Sequence, residues 1–73
     1  MTLDKGKTSS VYTVEKVGGL TAETEKRLEA LGMTVGTEVT VLNNKSKGTL
    51  IIKVRGTRFA IGRGISRCIE VRG

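Results

Sequence analysis

Residues 20–41 read LTAETEKRLEALGMTVGTEVTV, and this stretch decides the fold. Its local signals agree at both ends of a short helix. Thr21 is a good N-cap, since its hydroxyl can accept from the free amides of the first turn. Glu23 and Glu25 sit early in the helix, where the macrodipole favours negative charge. Thr24 stands where a full capping box would have Glu or Gln, so that box is absent. Leu28 and Leu31 share a face at i, i+3. Gly32 fits the left-handed C′ site, with Leu28 and Met33 as the apolar pair of a Schellman ending. The residues Thr34-Val35-Gly36-Thr37 then read as a turn, with Gly36 able to take positive φ. Leu28, Leu31 and Met33 are expected to plug one end of whatever the rest of the chain builds.

The flanking segments read as strands. Residues 11–17 (VYTVEKV) alternate imperfectly, and either Tyr12 with Val14 or Val11 with Val17 could form the core face. Gly18-Gly19 ends that strand before Leu20. Residues 38–42 (EVTVL) alternate cleanly, with Val39 and Val41 on one face. A polar loop, NNKSKG over residues 43–48, is rich in turn formers. Residues 49–54 (TLIIKV) form the most apolar strand, with Leu50, Ile52 and Val54 together. Arg55-Gly56-Thr57 predicts a tight hairpin into RFAI (58–61), with Gly56 supplying the unusual φ. Gly62-Arg63-Gly64 interrupts the pattern, Ile65-Ser66-Arg67 can form one helical turn, and residues 68–72 (CIEVR) make the last strand. Residues 1–10 are polar and expected to be loosely held, with Leu3 their only apolar pin. Five short strands with one α-helix between the first and second predict an all-β small barrel, whose closure would remove exposed edges.

Composition agrees. The 73 residues include 10 Gly and no Pro, which leaves the turns to glycine. A chain of this length makes a single domain, 1–73, and buries only about 60% of its unfolded surface, so its core is thin. A single cysteine, Cys68, can form no intramolecular disulfide and implies no oxidising compartment. The first ten residues carry no apolar run of a secretory signal. No segment approaches the roughly 20 apolar residues of a membrane span. The expectation is a cytoplasmic protein. Charge is uneven: residues 1–42 hold five Lys/Arg against six Asp/Glu, and residues 43–73 hold eight against Glu70 alone. A basic half attracts polyanions generally, whether nucleic acid, an anionic lipid surface or an acidic protein face.

Residues 27–42, RLEALGMTVGTEVTVL, resemble the FeoA signature: a helix ending in Leu-Gly-Met, two residues, Gly, then a strand. The later Val54-Arg55-Gly56, Phe59-Ala60-Ile61 and Ile69-Glu70-Val71 are similar to the rest of that family. The resemblance covers residues 10–72. It differs at NNKSKG, where relatives are often richer in Pro and Gly, and at residues 62–67, where they often have a fuller helical turn. It implies an SH3-like β-barrel with an inserted helix, found free-standing and at the C-terminus of DtxR-type metal-dependent repressors. It also implies a non-enzymatic accessory protein of ferrous iron uptake whose partner is FeoB, the membrane transporter with a GTP-binding domain. The chain would then be recruited to the inner face of the membrane by that partner.

The chemistry legible in the sequence agrees with a binding role. There is no His, so the usual general base at neutral pH is missing. Cys68 begins an apolar strand without a His partner and reads as a small packed hydrophobe. The family is associated with transition metals, whose natural ligands are imidazole and thiolate. This chain offers one thiolate and the helix carboxylates Glu23, Glu25 and Glu29, of which only Glu25 and Glu29 share a face. No cofactor and no tight metal site are expected. Lys45 and Lys47, Arg55 and Arg58, and Arg63 and Arg67 are the candidate partner-binding residues. Thr21, Leu28, Leu31, Gly32, Met33, Gly36 and Gly56 are read as defining the fold. The alternative is a small basic barrel that binds nucleic acid, using those cations with Lys53 and Arg72 on phosphates. Only Tyr12 and Phe59 are aromatic, too few for a stacking platform. A weak homo-oligomer through sheet edges is compatible with the pattern.

Overall fold

The structure, a computed structural model, describes residues 1–45 and 47–73; Ser46, inside the polar loop expected at residues 43–48, lies outside the described residues. A short 3-10 turn, Leu3–Lys5, leads into strand β1 (Val11–Val17), helix α1 (Ala22–Ala30) and strands β2 (Glu38–Asn43), β3 (Thr49–Val54) and β4 (Thr57–Gly62). A single helical turn, α2 (Arg63–Ser66), joins β4 to β5 (Ile69–Arg72). Gly64 therefore sits inside the helical turn, which begins two residues earlier than the sequence suggests.

The strands form one antiparallel sheet in the order β4-β3-β2-β1-β5, the SH3-like arrangement of a small barrel. Their inward side chains meet in a single core: Tyr12 and Val14, Val39 and Val41, Leu50, Ile52 and Val54, Ile61, and Ile69 with Val71. Tyr12 and Val14 are thus the core face of β1, and Val11 is 50% exposed. The register explains the choice, because Tyr12 pairs with the buried Val39. The Tyr12 hydroxyl meets its own need by accepting from the Lys7 backbone N–H at 2.8 Å.

Helix α1 is built as its sequence dictates. Thr21 caps its start, accepting from the Thr24 N–H at 3.2 Å. Its end is a Schellman motif: Met33 N–H donates to Leu28 O at 2.9 Å and Gly32 N–H to Glu29 O at 3.0 Å, with Gly32 at φ +92°. Leu28 and Met33 are buried, at 5% and 1% exposure, and cover the core. Leu31 does not share that role; it is 43% exposed. The helix ends at Ala30, and the chain reverses at Gly32, beyond which Met33 is buried in the core.

The first ten residues are attached at several points rather than by Leu3 alone. Leu3 is fully buried, and Thr2 forms a bridge with Glu70. Val71 N–H donates to Met1 O at 2.8 Å, so the amino terminus runs along the outer edge of β5. Ser9 N–H donates to Val41 O, and Gly6 lies so close to the core that it is itself buried. The two ends of the sheet are therefore unlike. β5 carries the amino-terminal bridge, whereas β4, at the other end, has β3 as its one hydrogen-bonded strand among the described residues.

Candidate functional site

The β3–β4 hairpin concentrates the exposed positive charge. Val54 pairs with Thr57, leaving Arg55-Gly56 as a two-residue loop. Both loop residues have positive φ, 51° and 80°, which is the type I′ geometry that matches strand twist. Sequence reasoning assigned the unusual conformation to Gly56 alone. Arg55 adopts it too, and its side chain lies across Gly32 at the end of α1. A guanidinium there meets the negative end of the helix dipole.

One step along the ladder, Lys53 and Arg58 are directly opposite each other. In this register the pair flanking the two-residue loop is hydrogen-bonded and the next is not, so the Lys53 and Arg58 side chains are the closely spaced kind. Both are exposed on the outer face of the sheet. Like charges placed directly opposite destabilise a sheet. Among the described residues the salt bridges are Arg67 with Asp4 and Arg72 with Glu15, so neither Lys53 nor Arg58 is held in an ion pair; Glu38, on the same face of β2 two residues from Lys53's partner Thr40, makes no salt bridge to it. Lys53 was not among the candidate partner-binding residues. The signal was present in TLIIKV, where Lys53 alternates outwards between Ile52 and Val54.

The remaining cations do not join this cluster. Lys45 and Lys47 are exposed in the β2–β3 connection, at the opposite end of β3 from Arg55. Arg63 is half-buried and structural: it donates to Asp4 O at 3.2 Å and to Asn44 Oδ1 at 2.6 Å. Asn44 in turn donates to Asp4 O at 3.1 Å and Gly6 O at 2.6 Å. The Arg63 guanidinium therefore ties the amino-terminal turn to the β2–β3 loop, an intramolecular role that the sequence did not signal. Arg67 stays 67% exposed beside Asp4, at 3.8 Å. The candidate partner-binding cations thus divide into a hairpin group, Arg55 and Arg58, and a separate group of Lys45, Lys47 and Arg67.

Two concavities flank α1. Glu25 and Glu29 line one with Val17, Met33, Thr34 and Val35, and Glu23 takes no part. Among the described residues no three His, Cys, Asp or Glu side chains come together as a metal cluster would need. The other side of α1 forms a groove of about 260 Å³ against β4, lined by Arg27, Leu28 and Leu31, by residues 59–62 and by Ile65. Cys68 is half-buried, its thiol facing Gly64 O at 3.6 Å. Among the described residues, no helix is long and apolar enough to cross a membrane.

The comparisons with known proteins agree with this architecture. The FeoA domain family model matches residues 1–73. No curated protein matches the chain. A crystal structure of an iron uptake regulatory protein (FeoA) superposes with a TM-score of 0.89 at 30% identity, over 99% of this chain and 95% of that one. The FeoA of Stenotrophomonas maltophilia, solved with zinc and described as a prokaryotic SH3 domain protein, gives 0.85 at 29% identity over 99% and 89%. A manganese-dependent transcriptional repressor shares the fold at 0.84 with 13% identity, this chain spanning 39% of its length.

Proposed function

The chain belongs to the FeoA domain family, and from that premise we propose that it is a non-catalytic accessory protein of ferrous iron uptake that binds the cytoplasmic part of a FeoB-type transporter. The carrying observation is the Lys53–Arg58 pair, two like charges held face to face on the outer sheet surface with no salt bridge to either among the described residues. An acidic partner surface would relieve that repulsion, so the pair favours docking over solvation alone. The S. maltophilia relative is described as a candidate activating factor of ferrous iron transport, which agrees with this role. In this reading the chain is cytoplasmic and is brought to the inner face of the membrane by its partner. Lys45, Lys47 and Arg67 lie at the far end of the sheet and would serve as a secondary contact.

Nucleic acid is the weaker reading. Tyr12 is 7% exposed with its hydroxyl engaged, and Phe59 packs against the core, which leaves no aromatic platform for bases. Iron is the transporter's cargo here and is not held tightly by this chain. Equilibrium dialysis returning stoichiometric Fe(II) at micromolar affinity would overturn that point. The main test is titration of the chain with the soluble GTP-binding domain of the transporter, followed by NMR. Amides around Lys53, Arg55 and Arg58 are expected to shift, and the double variant Lys53→Glu/Arg58→Glu is expected to weaken binding about tenfold or more. Unchanged affinity in a folded double variant would sink the proposal.

A further inference from the structure

We infer that the free edge of β4 is a strand-addition site for an extended partner segment in which acidic and apolar side chains alternate. The inference rests on the protein-partner reading above and names the segment chemistry that the site would take.

Three observations converge on this edge. First, β4 ends the sheet, and the opposite end, β5, carries the Thr2–Glu70 bridge and the Met1–Val71 hydrogen bond while β4 has no counterpart among the described residues. Second, the ladder fixes which backbone groups are available. Thr57, Phe59 and Ile61 form the hydrogen-bonded pairs with β3, so the N–H and C=O of Arg58 and Ala60 point away from it. An unpaired row of this kind is a template for another strand. Third, the two faces beside the edge differ in chemistry. On the inner side lies the groove against α1, where Leu28, Leu31, Phe59 and Ile65 present apolar surface. On the outer side stand Arg58 and Lys53.

An added strand sends successive side chains to opposite faces. Those on one face would enter the groove, and those on the other would stand beside Arg58, with Lys53 one strand further in. Apolar residues suit the first and carboxylates the second. Arg27 is the one charged residue lining the groove, so its rim favours acidic residues as well. Leu31 thereby gains a reason for its exposure. Backbone pairing would supply affinity, and the alternation would supply specificity.

The test uses the capped octapeptide Ser-Glu-Val-Glu-Leu-Glu-Val-Ser, with a control in which Lys replaces each Glu, titrated into the full chain by NMR. The expected result is saturable shifts at the amides of Arg58, Ala60 and Gly62 and at the methyls of Leu31 and Ile65, with the Lys peptide inert. Ala60→Pro removes the outward N–H at an edge position that tolerates proline and should weaken binding about tenfold. Leu31→Lys alters only an exposed side chain and should do the same through the groove. Shifts elsewhere, or undiminished binding in both variants, would overturn the inference. So would β4 shifts that depend on the chain's own concentration, which would mean a second copy, or on phosphatidylglycerol vesicles without any response to peptide. The GTP-binding domain is titrated in parallel. If Lys53→Glu/Arg58→Glu weakens that complex while Ala60→Pro and Leu31→Lys do not, the edge inference falls and the partner reading stands. If the domain does not bind but the peptide behaves as expected, the partner reading falls and the edge site stands.

Discussion

Arg55 lies across Gly32: a Cβ built on that glycine would stand 2.9 Å from Arg55 Cδ and 3.2 Å from Nε. The contact ties the β3–β4 turn to the end of α1, two features that are local in sequence and remote from each other. It also sets up a choice between two reasons why Gly32 must be glycine. One is φ of +92°, which penalises any β-carbon. The other is the space that Arg55 occupies.

The conformational reason should dominate, because the Arg55 side chain is long, exposed and free to swing aside. Gly32→Ala is expected to lower unfolding stability by about 1–2 kcal/mol, the usual penalty of a left-handed β-carbon. Adding Arg55→Ala should leave most of that loss in place. Urea unfolding of the two single variants and the double variant separates the cases. Recovery of stability in the double variant would assign the loss to the steric contact instead.

Gly6 makes the opposite case. Its φ of −64° is ordinary, yet a Cβ there would stand 2.8 Å from Val41 Cγ2 and 3.1 Å from both Leu3 O and Tyr12 Cε2. Gly6→Ala should therefore cost about 1–3 kcal/mol through overpacking alone. Val41→Ala in the same chain should recover part of that loss by vacating the clash, although Val41→Ala alone destabilises. A strictly additive pair of effects in thermal unfolding would argue against direct contact.

The Arg63–Asn44 network yields a contrast between two arginines that look alike in sequence. Arg63 reaches Asp4 O and Asn44 Oδ1 from a half-buried position, so Arg63→Met should cost about 1–3 kcal/mol, chiefly by leaving Asn44 Oδ1 without its donor while Asp4 O keeps the Asn44 amide. Arg67→Met removes only an exposed contact of 3.8 Å and should change stability by less than about 1 kcal/mol. Hydrogen exchange should locate the Arg63 effect in the amino-terminal turn and the loop before β3. Equal losses for the two arginines would show that the network is not holding that turn.

These contrasts mark what was legible in the sequence. The capped helix, the glycine turn at 34–37 and the strand boundaries rest on local rules of capping and alternation, so β1, β3 and α1 lie where the pattern put them. Leu3 was legible as an apolar pin, but the close approach of Gly6 to Val41 rests on a contact far apart in the chain, which no local rule reports. The candidate site divides in the same way. Charge counting located the basic half, but only the register of β3 on β4 shows that Lys53 faces Arg58 and that Arg63 is turned inwards. Arg55 is the sharpest example, because a non-glycine residue at φ +51° is disfavoured by its own backbone and is held there by the hairpin.

Leu31 and Met33 separate packing from recognition. Both are apolar and two residues apart, and the sequence gives them one task. In the structure Met33 is 1% exposed and Leu31 43% exposed, on opposite sides of the Gly32 reversal. Met33→Ala should cost about 2–5 kcal/mol, because it opens a cavity under α1. Leu31→Ala should cost about 1 kcal/mol, since 43% of its surface stays exposed. Binding should reverse the order: Met33→Ala, studied below its unfolding transition, should keep partner affinity close to that of the parent chain, whereas Leu31→Ala should weaken it. Calorimetric titration alongside urea unfolding reads both axes. A Leu31→Ala chain that loses stability as Met33→Ala does would return Leu31 to the core and remove the exposed wall of the groove.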